Sequence, residues 1–159
     1  MKRENNYLLR SAKQEDCKLL YLWRNEKLTR LWSFNKKKIS IKKHKEWFEK
    51  NLKNKKVIIK IFSYKKNKCG MVRLNLLKKN YNLSYLIGKG YRKKSLGKKM
   101  LSIFLRNISR NIEKNSIIYA KSDIKNIASN KCLLSVDFKL LNKNKKINKY
   151  FYKINENSK

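Results

Sequence analysis

The sequence predicts an α/β fold with one mixed, mostly antiparallel central sheet flanked by helices. Three observations carry that prediction. Short runs rich in branched and aromatic residues recur along the chain, segments with apolar residues at helical spacing separate them, and neither an internal repeat nor a Gly/Pro linker interrupts the order. At 159 residues the chain has the size of one ordinary domain, able to bury most of a core without disulfide or metal staples. One domain over the whole chain, with no second module, is expected.

Tyr7 to Arg10 reads as a short first strand, and Gln14 to Asn25 as a helix whose Leu19, Leu22 and Trp23 share one face. Leu28 to Lys38 has no clear period and is expected to be irregular, though it carries Trp32 and Phe34. Ser40 suits the cap of a helix from Ile41 to about Leu52, with Ile41, His44, Phe48 and Leu52 along one side. Val57 to Tyr64 and Cys69 to Leu77, on either side of a KKNK turn, read as an antiparallel hairpin. In its second strand Val72, Leu74 and Leu76 alternate with Met71, Arg73 and Asn75, which assigns one set to the core. Asn82 to Ile87 makes a further strand. After the loop GKGYRKKSLG comes a helix from Gly97 to Glu113. Its Met100, Leu101, Phe104, Leu105, Ile108 and Ile112 form an apolar stripe, with Lys98, Lys99, Arg106 and Arg110 elsewhere. Ile117 to Ser122 is a short strand, Asn126 to Val136 a short helix, and Phe138 to Leu141 with Tyr150 to Ile154 a terminal hairpin.

The chain carries 44 Lys and Arg against 10 Asp and Glu, a formal charge of +34. Such a balance ordinarily points to nucleic acid or an anionic membrane. Here the excess is nearly all Lys, spread over every segment with Asn and Ile, while Pro is absent, a pattern that codons rich in A and T produce. A nucleic-acid reader concentrates charge on one stripe and favours Arg, whose planar fork reads phosphates and guanines. No specific nucleic-acid partner is expected, although polyanions should bind non-specifically at low salt through counterion release. Cys17, Cys69 and Cys132 are far apart, odd in number and without a CxxC pair. That argues against a metal site or a disulfide framework and for a reducing cytoplasm. The N-terminal MKRENNYLLR is polar and leads into no apolar stretch of membrane-spanning or signal-peptide length, so a soluble cytoplasmic protein is expected.

The segment YLIGKGYRKKSLGKKML sets two glycines, a basic run and a small residue immediately ahead of a helix. The first amides of a helix lack internal partners and sit at the positive end of its dipole, so main-chain donors at Lys94 to Lys98 can hold a diphosphate. Small residues at Ser95 and Gly97 let phosphates approach that backbone.

At this loop the sequence resembles the GNAT N-acetyltransferases, whose acetyl-CoA loop reads Q/RxxGxG/A between the fourth strand and the third helix. Arg92, Lys93, Lys94, Ser95, Leu96 and Gly97 match it, with Ser95 where the family usually has Gly. If that position takes positive φ, Ser95 costs about 1 kcal/mol relative to Gly. The family's NxxS element and following GF pair are matched by Asn126, Ser129 and Asp137-Phe138, with Asp137 replacing the glycine. The stretches LLYLWRN, ISIKKHKEWF and CGMVRL resemble the branch that acetylates the 4-amino group of UDP-linked amino-dideoxy sugars in pseudaminic acid synthesis.

The resemblance implies acetyl-CoA as co-substrate and direct transfer to an amine, with backbone amides near Leu86 and Ile87 positioning and polarising the thioester carbonyl. It assigns Arg92, Lys93, Lys94, Ser95, Leu96, Gly97 and Lys98 to the cofactor diphosphate, and Asn126, with Ser129 in the same element, to the pantetheine arm. The amine must lose a proton, and His44 is the only histidine in the chain, with the natural pKa for that task. His44 is a candidate for the substrate pocket and for the base. Its place beside Ile41 and Phe48 fits a hydrogen-bonded structural histidine as well. Many members use a tyrosine in the helix before the GF pair as general acid for the thiolate, but the matching position is Leu133. Tyr85, Tyr119 or solvent then takes that role.

Trp32, Phe34 and Trp47 can stack a nucleobase or line a sugar pocket. Arg24 can meet a substrate diphosphate in bidentate geometry or sit solvated at a helix end. The expected acceptor is a small-molecule amine, a nucleotide-linked amino sugar. A ribosomal-protein-type α-amine and a non-catalytic polyanion-binding module are the alternatives, and a homodimer is left open.

Overall fold

The structure is a computed structural model and describes residues 6–154. Its strands are β1 (Tyr7–Ser11), β2 (Val57–Tyr64), β3 (Asn67–Leu77), β4 (Asn80–Ile87), β5 (Ile117–Asp123), β6 (Lys139–Lys143) and β7 (Ile147–Lys153). They form one sheet in the order β1-β2-β3-β4-β5-β7-β6. Every neighbouring pair is antiparallel except β4 with β5. The helices are α1 (Cys17–Asn25), α2 (Lys27–Trp32), α3 (Ile41–Leu52), α4 (Leu96–Ile108) and α5 (Ile127–Leu134). The α/β class and the mixed, mostly antiparallel sheet are as the sequence predicts.

Strand alternation sends side chains to opposite faces, and helices cover both. On one face Val72, Leu74, Leu83 and Ile118 join the α4 stripe from Met100 to Ile108 and Leu133 of α5 in the larger core. On the other, Ile59 and Ile61 pack with Leu20 of α1 and Phe48 of α3, with Met71 and Trp47 at the margin. Each such fully buried side chain contributes roughly 1.5–3 kcal/mol. Among the described residues no helix is long and apolar enough to cross a membrane.

Several boundaries differ from expectation, each for a local reason. The stretch after Leu28 is partly helical: α2 forms because the Glu26 carboxylate accepts hydrogen bonds from the Leu28 and Thr29 amides. Ser, Thr, Asp or Asn usually fills that position. Beyond Trp32 the chain is irregular as expected, pinned by Asn25, whose amide donates to the Ile39 carbonyl and accepts from the Ile39 N–H. Helix α4 stops at Ile108 rather than Glu113, because the Ser109 hydroxyl donates to the Leu105 carbonyl at 2.6 Å and competes with the next turn. The β2–β3 turn holds Lys65 and Lys66 at φ 48° and 67°, the left-handed pair of a tight hairpin that Asn-Gly usually supplies. Strand β3 therefore begins two residues before Cys69. The terminal hairpin runs longer than expected and closes at Asn144, whose side chain accepts from the Lys146 and Ile147 amides.

The feature that makes a site is the parallel pair. Strands β4 and β5 align only at Tyr81 with Ile118, Asn82 with Tyr119 and Leu83 with Ala120. Beyond Leu83, β4 stays paired to β3 through Ile87 while its other edge has no strand partner.

Candidate active site

The parting of β4 from β5 opens a cavity of about 920 Å³. Its walls are β4 from Leu83 to Ile87, the loop and first turn of α4, the start of α5, and the α1–α3 layer. The structure brings Arg24, Trp32, Phe34, His44, Trp47, Tyr85, Leu86, Ile87, Arg92, Lys93, Ser95, Leu96, Gly97, Lys98, Asn126 and Ser129 to these walls.

Ser95 sits at the N-cap of α4 with φ 54° and ψ 13°, so the position does demand the left-handed conformation, as Lys93 does at φ 60°. The first helical bond runs from the Lys99 amide to the Ser95 carbonyl at 3.2 Å. The amides of Leu96, Gly97 and Lys98 therefore have no helical acceptor, at the positive end of a helix whose first turn lines the cavity. A Cβ on Gly97 would lie 3.3 Å from Cys132 Sγ and 3.7 Å from Ile87 Cγ1, so glycine lets this turn close on α5 and β4. Lys94 is the one residue of the expected diphosphate set outside the walls; its ammonium donates to the Gly90 carbonyl and lies 5.8 Å from the Tyr91 ring centre.

Arg92 lines the cavity with its guanidinium already engaged. Nε donates to the Ile87 carbonyl at 3.0 Å, and Nη2 donates to Glu26 at 2.6 Å and to Thr29 Oγ1 at 2.9 Å. The side chain expected at the diphosphate thus braces the loop against α2. The Arg92 hydrogen bond is the main reason that the Glu26 carboxyl is held down to about 2.

On α5, Asn126 Oδ1 accepts from the Ser129 amide at 3.2 Å and caps the helix, which leaves the Nδ2 side of the amide for a ligand. The Tyr85 hydroxyl lies 3.0 Å from Ser129 Oγ. Burial, then the neighbouring Cys132, pushes its phenol well above the usual value, so it is protonated at any working pH. Leu133 is fully buried in the core, and Tyr119 lies outside the cavity walls.

On the α1–α3 side His44 is 3% exposed. Its Nε2 is 3.1 Å from the Cys17 carbonyl; a carbonyl only accepts, so Nε2 carries the proton and Nδ1 is the open acceptor. The ring stacks on Phe48 and contacts Tyr21 and Trp47. Burial pushes its pKa below the ordinary value, with the Cys17 carbonyl opposing and Arg24 adding to the shift. Both readings of this residue meet here: it makes a structural hydrogen bond and it lines the cavity.

Arg24 donates through Nη2 to the Asn35 carbonyl at 2.6 Å, while its buried Nη1 has no hydrogen-bond partner. Sequence reasoning missed Arg73. It falls in the CGMVRL stretch and alternates on its strand without a site role being assigned to it, yet its guanidinium lies 5.3 Å from the Trp47 ring centre, and its buried Nε donates to nothing. The signal was present in the Met71-Arg73-Asn75 alternation. Only the covering of that face by α3 turns it into a half-buried charge. Burial lowers the pKa of both arginines, with Arg30 adding at Arg24, but an arginine keeps its proton in proteins. No Asp or Glu lines the cavity among the described residues.

A split sheet with unpaired helix-start amides on one side and an aromatic, basic chamber on the other is a site with room for two ligands. Residues 6–139 match the family described as Acetyltransferase (GNAT) domain, and the chain belongs to that family. Spermidine N-acetyltransferase from Vibrio cholerae, solved with CoA and spermine, is similar in fold at TM-score 0.82 and 13% identity, covering 94% of this chain and 96% of that one. A putative acetyltransferase from Salmonella typhimurium, solved with acetyl-CoA, gives TM-score 0.78 and 16% identity over 96% of each chain. RimL, the ribosomal L7/L12 α-N-protein acetyltransferase solved with coenzyme A, gives 0.78 and 14% over 94% of each. No curated protein matches the sequence closely enough to count as a relative.

Proposed function

We propose that this chain, acting as one cytoplasmic domain, transfers the acetyl group of acetyl-CoA to the amine of a nucleotide-linked amino sugar, in the assembly of a surface polysaccharide or a glycosylated flagellin. One observation carries the reading. A single cavity joins the free amides at the start of α4 to a chamber walled by Trp32, Phe34 and Trp47, with arginines and, among the described residues, without carboxylates. The resemblance of LLYLWRN, ISIKKHKEWF and CGMVRL to nucleotide-sugar acetyltransferases supports the same acceptor.

The residues present fit the donor: three unpaired amides, a left-handed turn and Gly97 make a cradle that a side chain would fill. When bound, acetyl-CoA supplies the thioester carbonyl that the amine attacks and the thiol that leaves. The amides of Leu96, Gly97 and Lys98 hold its diphosphate with Lys93 and Lys98 beside them. The open edge of β4 at Leu86 and Ile87 offers main-chain groups that orient the pantetheine arm and polarise the carbonyl, and Asn126 takes the arm from the other wall. His44 Nδ1 accepts the amine proton, directly or through one water, and its lowered pKa keeps it in the neutral form this requires. The Tyr85 hydroxyl donates to the departing sulfur. Trp32, Phe34 and Trp47 stack the base or sugar.

Calorimetry at moderate salt tests the donor site. Acetyl-CoA is expected to bind in the micromolar range, inorganic polyphosphate not to reproduce that binding, and Gly97→Trp to abolish it. A panel of UDP- and dTDP-linked amino sugars, peptide α-amines and spermidine then tests the acceptor. Acetylation of peptide α-amines with none of the sugars would overturn the sugar reading while leaving the donor site intact.

A further inference from the structure

Among the described residues Arg73 is a half-buried charge without a counter-ion. The ion pairs among the described residues engage Arg10, Lys68 and Arg92, and neither Arg73 nor Arg24 has a carboxylate partner. A guanidinium taken partly out of water is costly when nothing compensates it. Arg73 lies directly across from Ser84 of β4 in the sheet register, one strand in from the open edge of β4, and it lines the cavity with Ser84. Met71, two residues earlier, packs into the cluster under α1 and α3, so Arg73 points to the same layer, and Trp47 of α3 holds its guanidinium plane at 5.3 Å. Arg24 enters the same cavity from α1 with its Nη1 unpaired. Two guanidinium groups lining one cavity, each with a buried nitrogen that lacks a partner, an aromatic ring beside one of them and no Asp or Glu in the lining among the described residues describe a receptor for an anion. They also describe a wall that repels polycations.

We propose that Arg73, with Arg24, forms an anion-binding subsite for the acceptor, so that the enzyme selects amines carrying a phosphate or carboxylate and rejects polyamines. This rests on the reading of the cavity as an acetyltransferase acceptor chamber. It adds a specificity-determining residue and a substrate class. Arg73 binds the acceptor and takes no part in proton transfer.

The test uses the full chain saturated with acetyl-CoA, with Arg73→Met, Arg73→Lys and, as a surface control with the same loss of charge, Lys143→Met. UDP and a simple amino-sugar uronate serve as binding probes for the phosphate and carboxylate sources, and thermal melting verifies folding. Arg73→Met is expected to weaken one of the two probes by roughly tenfold or more. It should raise KM for an anionic acceptor with kcat and the acetyl-CoA affinity unchanged, and Arg73→Lys should recover part of the loss. Lys143→Met should change none of these. Probe binding and KM that stay unchanged in folded Arg73→Met overturn the subsite, as does spermidine acting as a better acceptor than the anionic amines. If no nucleotide sugar is acetylated but Arg73→Met still loses UDP or uronate, the sugar reading fails and the subsite stands. If a nucleotide sugar is turned over equally by both proteins, the reverse holds.

Discussion

Ser95 holds φ at 54° where relatives of the acetyl-CoA loop have glycine, and its hydroxyl makes no capping bond in return. The strain therefore has no local compensation, and Ser95→Gly should stabilise the protein by roughly 0.5–1 kcal/mol, read as a higher melting temperature with acetyl-CoA affinity kept; a lower one would mean that the hydroxyl does work not visible in its bonding. Asp137, which stands where the GF glycine would, is also left-handed at φ 66°, and aspartate tolerates that conformation better than most. Both departures from the family pattern were legible as sequence; the sequence raises the question of a positive φ at Ser95 alone, and the left-handed backbone at Asp137 is seen only in the structure. The engagement of Arg92 was not. Glu26 lies 66 positions away along the chain, and no spacing rule connects them. Arg73 escaped for a related reason: alternation gives a face, but only the packed helix shows whether that face is wet.

The helix α2 is an element made by one carboxylate. Glu26 caps it and at the same time grips Arg92 of the loop, so the layer over the aromatic chamber and the turn that starts α4 share a joint. Glu26→Gln should weaken acetyl-CoA binding by roughly 3–10-fold through a looser loop while leaving single-turnover rates at saturating donor unchanged; an unaltered affinity would mean the loop is set by its own backbone. The same contact is sensitive to acid. The Glu26 carboxyl is depressed from 4.5 to about 2, so its contribution to stability is complete above pH 4.5 and is lost as pH falls towards 2. Wild-type melting temperature should fall more steeply than that of Glu26→Gln across this window. Elements with strong periodicity, such as α3 and the apolar stripe of α4, were readable because burial selects residues at fixed spacing. Helix α2, six residues long and capped by an uncommon residue, offered too few positions to show a period.

At the scale of the whole molecule the charge of +34 is the most conspicuous property and the least informative about chemistry. Lysines reach solvent on strands, helices and turns alike, as at the exposed strand β6, so the field has no aimed stripe. Binding to duplex DNA or heparin should be strong at low salt and should fall by orders of magnitude between about 50 and 200 mM salt. Strand or sequence preference that persisted at the higher salt would reverse this view. The mostly antiparallel sheet and its two hairpins were legible because each hairpin joins strands adjacent in the chain, but the insertion of β7 between β5 and β6 and the parallel pairing of β4 with β5 rest on contacts distant in sequence. That pairing makes the sheet a book with a short spine. Its two leaves, β1 to β4 and β5 to β7, are stitched by main-chain pairing over only three residues, while the ladders within each leaf run nearly the full length of their strands. Such a spine is expected to open first under thermal stress, and acetyl-CoA lying across the gap would act as its clasp, read as slower hydrogen exchange along β4 on binding.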